Sequence, residues 1–429
     1  MKKYKENKGI TLIALVVSII VLLILAGISI NMLTGQNGIL NRTREAKEKT
    51  LSAQQEENSI LTSYEEQISS YAGIDWKMAM ANAKAPEEQK EEQNNGVIGI
   101  GTDGKPVNMD LWEYTKLDDG TYGLNDSESL TDAGTKTTGY IGKIIDGKIE
   151  GSVPTYIKGK NDSEFFKVTN MAYTFFNNKE LQESPKIPDE VTNIRALFNS
   201  CENLTKVYNL PQKAINMFGT FANCKKIKNI PEIPNSVINM GGTFLGCEDM
   251  VKAPAIPSKV QTLNITFQGC INLEKAPEIP NSVTNMYGTF SGCTKLSNAP
   301  EIPNSVTNMY GTFSGCTKLS NAPEIPNSVT NMYGTFLDCV NLLKAPSIPN
   351  SVTILCATFK GCSKLQGEIE INASVTGVQL GGEYSNNIDY NNCLLNACTE
   401  GSLTLKVTGT CAVIDKIIEN ASNPNITKK

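Results

Sequence analysis

Eight cysteines stand 23 residues apart: Cys201, Cys224, Cys247, Cys270, Cys293, Cys316, Cys339 and Cys362. Thiols at fixed spacing could pair as disulfides, bind a soft metal or act as nucleophiles. Metal and redox sites use close pairs such as CxxC, and the chain contains none. It also has no histidine among its 429 residues, which removes the usual general base, the histidine-containing triads and most zinc sites. What remains is a ladder of small apolar core residues, buried and reduced. Adjacent coils of a stack lie roughly 5 Å apart, so disulfides between coils stay open on distance alone. Cys356, Cys393, Cys398 and Cys411 fall outside the register, and the last three could form one bridge near the chain end. Gly99, Gly101 and Gly104 spell GxGxxG. A dinucleotide site needs that motif to open a helix whose amides meet the pyrophosphate. Here Lys105-Pro106 follows and the next residues read as a strand, so no cofactor is expected. The net charge of −5 supplies no basic surface for nucleic acid.

The elements that place these cysteines are copies of one short unit, PEIPNSVTNMYGTFSGCTKLSNA, and residues 277–299 and 300–322 are identical. A Phe stands three residues before each cysteine position, from Phe175 to Phe359, and Leu, Ile or Met three residues after, from Leu181 to Leu365. Asn178 holds the cysteine place in the first unit. A fixed period with a fixed apolar pattern is a solenoid in which each unit stacks on its neighbours. Within one unit Ile302, Val306, Met309, Phe313, Cys316 and Leu319 are expected to point inward, because a single coil cannot bury them alone. Pro300 and Pro303 lack amide donors and belong at corners, and Gly311 and Gly315 allow tight turns.

Two further columns invite functional questions. Asn170, Asn193, Asn216, Asn239, Asn285, Asn308 and Asn331 share one register, broken only at Thr262 and Ile354. Such a ladder is expected to satisfy backbone groups at a turn or to bond along the stack. Two places later come Phe218, Tyr287, Tyr310 and Tyr333. Next to the inward Met, these should face out, as an amphipathic strip suited to protein or glycan contacts or as a simple cover over the adjacent glycine. Trp112 and Tyr114 read as core residues rather than ligand contacts.

The repeat resembles the BspA-type leucine-rich repeats of bacterial surface proteins, whose units run IP-x-SVT-x-I and then AF-x-GC-x-x-L. The resemblance covers roughly 166–366 and implies adhesion to an extracellular protein or glycan, a binding role and not an enzyme.

At the other end, residues 10–33 carry no charge, and Lys2, Lys3, Lys5 and Lys8 precede them. That length spans a bilayer as a helix, and the lysines place the N-terminus in the cytoplasm with the bulk outside. KGITLIALVVSII resembles the leader junction of type IV prepilins and pseudopilins. The resemblance implies cleavage by prepilin peptidase after Gly9, N-methylation of Ile10 and pilin subunits as partners. Ala14 departs from the family's usual Glu at the fifth mature position, which puts polymerisation in doubt. A plain membrane anchor is the alternative for the segment, and a minor pseudopilin contacting secreted cargo or other pilins is the alternative function. Ile60, Leu61, Tyr64, Ile68 and Tyr71 make an apolar stripe at helical spacing. If unbroken, a helix over 10–71 extends on the order of 90 Å at 1.5 Å per residue.

Residues 72–96 read as a linker. Short β-prone runs follow over 97–165, with hairpin-turn candidates at Asp103-Gly104, Asp119-Gly120 and Asp146-Gly147. This module is expected to dock on the first repeat. Beyond Leu365 the pattern fades into a cap over 367–429 with a mobile tail, NPNITKK. The expected architecture is mainly β: a leucine-rich-repeat solenoid of nine 23-residue units, a small β module and a long N-terminal transmembrane or pilin-like α-helix. The leader is 1–9, the helix 10–71 and the repeats 166–366.

Overall fold

A computed structural model describes residues 96–125, 139–371, 394, 397–400, 402–407, 418, 421 and 423–429. The expected leader with Gly9 and Ile10, the helix over 10–71 and nearly all of the linker lie outside the described residues. Among the described residues no helix is long and apolar enough to cross a membrane.

The repeats form a stack of coils, and the hydrogen-bond pattern explains why the unit has its sequence. From Gly311 to Gly315, alternate amides leave the coil: Gly311 N–H donates to Tyr333 O, Phe313 to Thr335 O and Gly315 to Leu337 O, at 2.7–2.9 Å. The intervening amides fold back within the coil, Thr312 to Met309 O and Ser314 to Gly311 O. Every amide of the arc therefore has an acceptor without a continuous strand. The fold-back requires left-handed backbone twice per coil, with φ of 57° at Gly311 and 70° at Gly315. Only glycine adopts that region without a Cβ penalty. The register nevertheless tolerates others, including β-branched Ile265 at φ 47°.

Apart from these arc bonds, strand-type pairing between the described repeat coils takes the form of isolated parallel bridges. One column runs from Asn170 through Asn308 to Ile354, and a second includes Asn298, Asn321 and Lys344. The prolines between these columns carry no amide and hold the ladders to single residues. Val306, Met309, Phe313, Cys316 and Leu319 are completely buried, while Ile302 is only half-buried at the rim of the core. The nine phenylalanines from Phe175 to Phe359 stack face to face with offset, centroids 5.4–5.9 Å apart and planes within 13°.

At the N-terminal end a six-stranded sheet closes the stack, ordered β2-β1-β7-β8-β4-β3. Its strands are β1 (Ile98–Gly101), β2 (Pro106–Val107), β3 (Thr115–Lys116), β4 (Tyr122–Gly123), β7 (Pro154–Lys158) and β8 (Phe166–Asn170). A separate hairpin joins β5 (Ile144–Ile145) to β6 (Lys148–Ile149). The three Asp-Gly pairs all sit in hairpin connections, and Asp146-Gly147 has positive φ at both residues, 49° and 77°, as a tight hairpin of this hand requires. The GxGxxG glycines lie on β1 and its turn, not before a helix. A Cβ on Gly99 would press on Met109 Sδ, and one on Gly101 on Ser152 Oγ, so these glycines serve close packing.

This end closure imitates a coil with three separate segments. Leu124 N–H donates to Asn170 O, and Tyr140 N–H to Thr174 O, as Met171 and Phe175 do one coil on. Gly147 O accepts from Gln182 and Glu183, as Gln182 O accepts from Thr205 and Lys206. Trp112 and Tyr140 cover the exposed face of Phe175, with centroids 6.0 and 5.8 Å away.

At the other end the pairing outlasts the readable repeat. β9 (Gly367–Ile371), β10 (Leu403–Val407) and β11 (Ile426–Lys428) form a parallel sheet in the order β11-β10-β9. Leu403 pairs with Ile426, an offset equal to the repeat period. The tail expected to be mobile therefore supplies a strand. Ile426 is only 4% exposed, and burying it and pairing its backbone order the segment.

Candidate binding face

The cysteine column was the first candidate for chemistry, and its surroundings decide against reactivity. Each thiol donates to the carbonyl of the Phe in the preceding coil, Cys316 to Phe290 O at 3.1 Å and Cys339 to Phe313 O at 3.1 Å. The seven cysteines from Cys201 to Cys339 are buried and free. Burial pushes the Cys201, Cys270 and Cys339 thiols up to about 12 and those of Cys224, Cys247, Cys293 and Cys316 well above the ordinary value. A thiol so held is neither a nucleophile nor a metal ligand at neutral pH. Among the described residues no group of three or more His, Cys, Asp or Glu could hold a metal ion. Of the candidates for one terminal disulfide, Cys398 is buried, and Cys393 and Cys411 lie outside the described residues.

The asparagine column does backbone work. Asn285, Asn308 and Asn331 each accept, through Oδ1, the amide of the residue two places on, at 2.9–3.0 Å. At Thr262 the hydroxyl substitutes at 3.4 Å. The amides satisfied in this way are those of Tyr287, Tyr310 and Tyr333, so the Asn column fixes the backbone from which the tyrosines project. The three tyrosines are half-buried. Their rings stack on one another, Tyr287 on Tyr310 at 4.8 Å and 30°, Tyr310 on Tyr333 at 4.5 Å and 8°.

Phe218 shares the register but not the cluster, because Gly241 and Asn264 intervene along the column. Its ring lies over Gly241, within 2.9 Å of where a Cβ would stand. The Arg195 guanidinium sits 5.1 Å from the ring centroid, a cation–π geometry.

Two threonine columns escaped the sequence reading. Thr312 and its equivalents are completely buried, with Thr312 Oγ1 donating to Met286 O of the preceding coil at 2.9 Å. The signal was the fixed Thr before each Phe, from Thr220 to Thr358. The second row, Thr284, Thr307, Thr330 and Thr353, stands three residues before the tyrosine register. It is half-buried at its first member and exposed at the rest. Thr307, Thr330 and Thr353 each donate to the equivalent residue one coil back at 3.2–3.3 Å, which orients the methyls and oxygens as a regular outer row.

Charge lies elsewhere. Glu190 bridges Lys167 and Lys213, and Glu202 bridges Lys179 and Lys225. Hydrogen bonds from these lysines hold both carboxyls below the usual range. Glu183 is held low first by the Tyr208 hydroxyl and then by Lys148. All three acids lie on the first two coils, and none of these ion pairs reaches the tyrosine-bearing coils.

The family model for the BspA type leucine rich repeat region, in six copies, matches residues 169–297 and 260–388, together just over half of the chain. A leucine-rich repeat protein from Bacteroides ovatus is similar at 17% identity and a TM-score of 0.40, over 75% of this chain and 99% of that one. A leucine rich cell surface protein from Faecalibacterium prausnitzii is similar at 18% identity and a TM-score of 0.36, over 73% and 97%. The Treponema pallidum leucine-rich repeat protein is similar at 18% identity and a TM-score of 0.28, over 60% and 90%. No curated protein matches the chain.

Proposed function

The chain belongs to the BspA-type leucine-rich-repeat family, and from that premise we propose that it is a cell-surface binding protein that adheres to an extracellular protein or glycan. The observation that carries this reading is the stacked row Tyr287, Tyr310 and Tyr333 beside the exposed threonines, on coils whose other aromatics are buried. Aromatic residues held rigidly at a surface supply contact area at little entropic cost. Phe218, separated from the row by two intervening coils, would extend the contact. The test is Tyr287, Tyr310 and Tyr333 changed together to Ser, with the matching change to Phe as control. Binding of the chain to whole cells, matrix proteins and glycan arrays is expected to fall roughly thirtyfold, about 2 kcal/mol, in the Ser variant. The Phe variant keeps the stack and separates ring from hydroxyl. Unchanged binding in a Ser variant that is still folded by circular dichroism rejects the assignment.

Display at the membrane rests on the N-terminal sequence. The charge-free run of residues 10–33 behind four lysines supports a single-pass anchor with the repeats outside. The KGITL junction supports cleavage by prepilin peptidase between Gly9 and Ile10, with incorporation among pilin subunits. Intact mass and N-terminal sequencing of protein extracted from its own cells decide this. A chain starting at a methylated Ile10 is the expected result, and a chain retaining residues 1–9 would leave a plain anchor.

A further inference from the structure

We propose that Arg195, Phe218 and Asn264 form a site for a carboxylate-bearing glycan. This rests on reading the repeats as a binding array, and it names one ligand chemistry for them. Arg195 is the single arginine after Arg44, and every other cation of the repeats is lysine. Its column runs on through Phe218, Gly241 and Asn264 at the 23-residue step and holds no acid and no second cation. Among the described residues Arg195 enters no ion pair and no side-chain hydrogen bond, and its Nε is buried without a partner. The guanidinium is held instead beside the Phe218 ring, 5.1 Å from the centroid, while the Arg195 amide donates to Asn193 Oδ1 at 3.1 Å. By contrast, Glu190 and Glu202 each engage two lysines. An unpaired guanidinium held in place is a planar fork for a carboxylate, a geometry that lysine cannot supply. A phosphate monoester carries nearly two charges at neutral pH, so a column with one cation matches the single charge of a carboxylate.

The surroundings of Arg195 select the carrier of that carboxylate. Gly219, Gly241 and Gly242 bring no side chain, and the Phe218 ring lies over Gly241 as a low apolar floor. The backbone beneath is closed. The amides of Phe218 and Gly241 donate to Asn216 and Asn239 Oδ1 at 3.0 and 2.9 Å, and those of Gly219 and Gly242 to Gly241 O and Asn264 O. An extended peptide binds through main-chain hydrogen bonds and finds no open amide here. A glycan needs none, since it sets C–H groups on an aromatic ring and hydroxyls on side chains. Asn264 Oδ1 is a buried acceptor without a partner among the described residues. It stands three coil steps from Arg195, roughly 14 Å at strand spacing. Arg195 and Asn264 are both half-buried, so a turn of either terminal group brings its orphaned atom to a ligand. One orphaned donor and one orphaned acceptor in the same column fit an acidic oligosaccharide, its carboxylate on Arg195, a sugar ring over Phe218 and a hydroxyl on Asn264.

The test titrates the full chain by calorimetry with 3′-sialyllactose and with a hyaluronan tetrasaccharide. Each is set against its methyl ester, which keeps the sugar and removes the charge. At least one acid is expected to bind about tenfold or more tightly than its ester, and which one does so tells a sialic from a uronic carboxylate. Arg195→Gln should abolish that preference, and Arg195→Lys should too, because the charge remains without the fork. Asn264→Leu removes no side-chain hydrogen bond of the described chain and should weaken acid and ester alike, about fivefold or more. It is the deciding variant if the Arg195 variants fail to fold by circular dichroism, and unchanged binding in it then overturns the proposal. The proposal also falls if neither acid is preferred over its ester, if the preference survives Arg195→Gln, or if an aspartate hexapeptide binds and both glycans do not. Adhesion is scored separately on cells with the tyrosine variants. A chain that adheres without preferring either acid loses this site and keeps that reading, and a chain that prefers an acid but adheres to nothing does the reverse.

Discussion

Phe313→Ala is expected to lower the unfolding free energy of the chain by about 3–5 kcal/mol, the usual loss for truncating a buried aromatic. Phe313 is completely buried and stacks on both neighbours, Phe290 at 5.7 Å and 7° and Phe336 at 5.7 Å and 8°. Truncation therefore removes two aromatic contacts, each worth roughly 0.5–1.5 kcal/mol beyond area, and leaves a cavity. Collapse around the gap is resisted by the backbone: Phe313 N–H donates to Thr335 O, and Phe313 O accepts from the Cys316 amide and the Cys339 thiol. Phe313→Leu keeps most of the volume and should cost less than about 1.5 kcal/mol. Since each coil touches only its neighbours, a weakened interface divides the array, and urea unfolding should broaden or split. A loss below about 1 kcal/mol for the Ala variant would mean that the aromatic stack does not carry the coupling between coils.

The period made most of the solenoid legible, because each column repeats its requirement many times. Val306, Met309, Phe313, Cys316 and Leu319 were readable as inward from the spacing alone. The glycines at 311 and 315 announced the two left-handed turns. The asparagines announced a backbone partner, which is the amide two residues on. Where a residue type has two physical answers, the sequence was less decisive. Thr312 is polar and drew no assignment from the spacing, yet its hydroxyl reaches Met286 O and the residue is completely buried. The tyrosines were expected to face out and are half-buried, because at one coil step their rings satisfy each other first.

The two ends were legible only in part, for opposite reasons. The N-terminal closure has no period, since Leu124, Tyr140 and Gly147 come from different turns and each joins the first coil through its own backbone hydrogen bond. No local pattern encodes such a meeting. The C-terminal end keeps the period between Leu403 and Ile426, but the side chains no longer repeat. Parallel pairing constrains backbone positions and burial, not residue identity, so the strand in the expected tail left little trace.

The N-terminal closure yields the second large effect. Trp112→Ala is expected to cost about 2–4 kcal/mol, below the usual value for a buried Trp, because the indole carries its own penalty. Trp112 is 3% exposed, lies 5.0 Å from Tyr140 and meets Phe175 edge-on at 6.0 Å. Its Nε1 is buried without a hydrogen-bond partner among the described residues, a loss of roughly 1–3 kcal/mol already present in the native state. Trp112→Phe should therefore be close to neutral, keeping a ring over Phe175 while deleting the orphaned donor. The Ala variant uncovers the end of the aromatic stack and loosens Tyr140, whose amide occupies Thr174 O and whose hydroxyl bonds Lys143 O at 2.9 Å. Amides of residues 171–177 should then exchange with solvent faster, while those around Phe336 keep their protection. The bared first coil presents unpaired carbonyls in strand-like array, so association should rise with concentration. If exchange at 171–177 is unchanged in Trp112→Ala, the indole is a passenger and the end is held by the backbone closure alone.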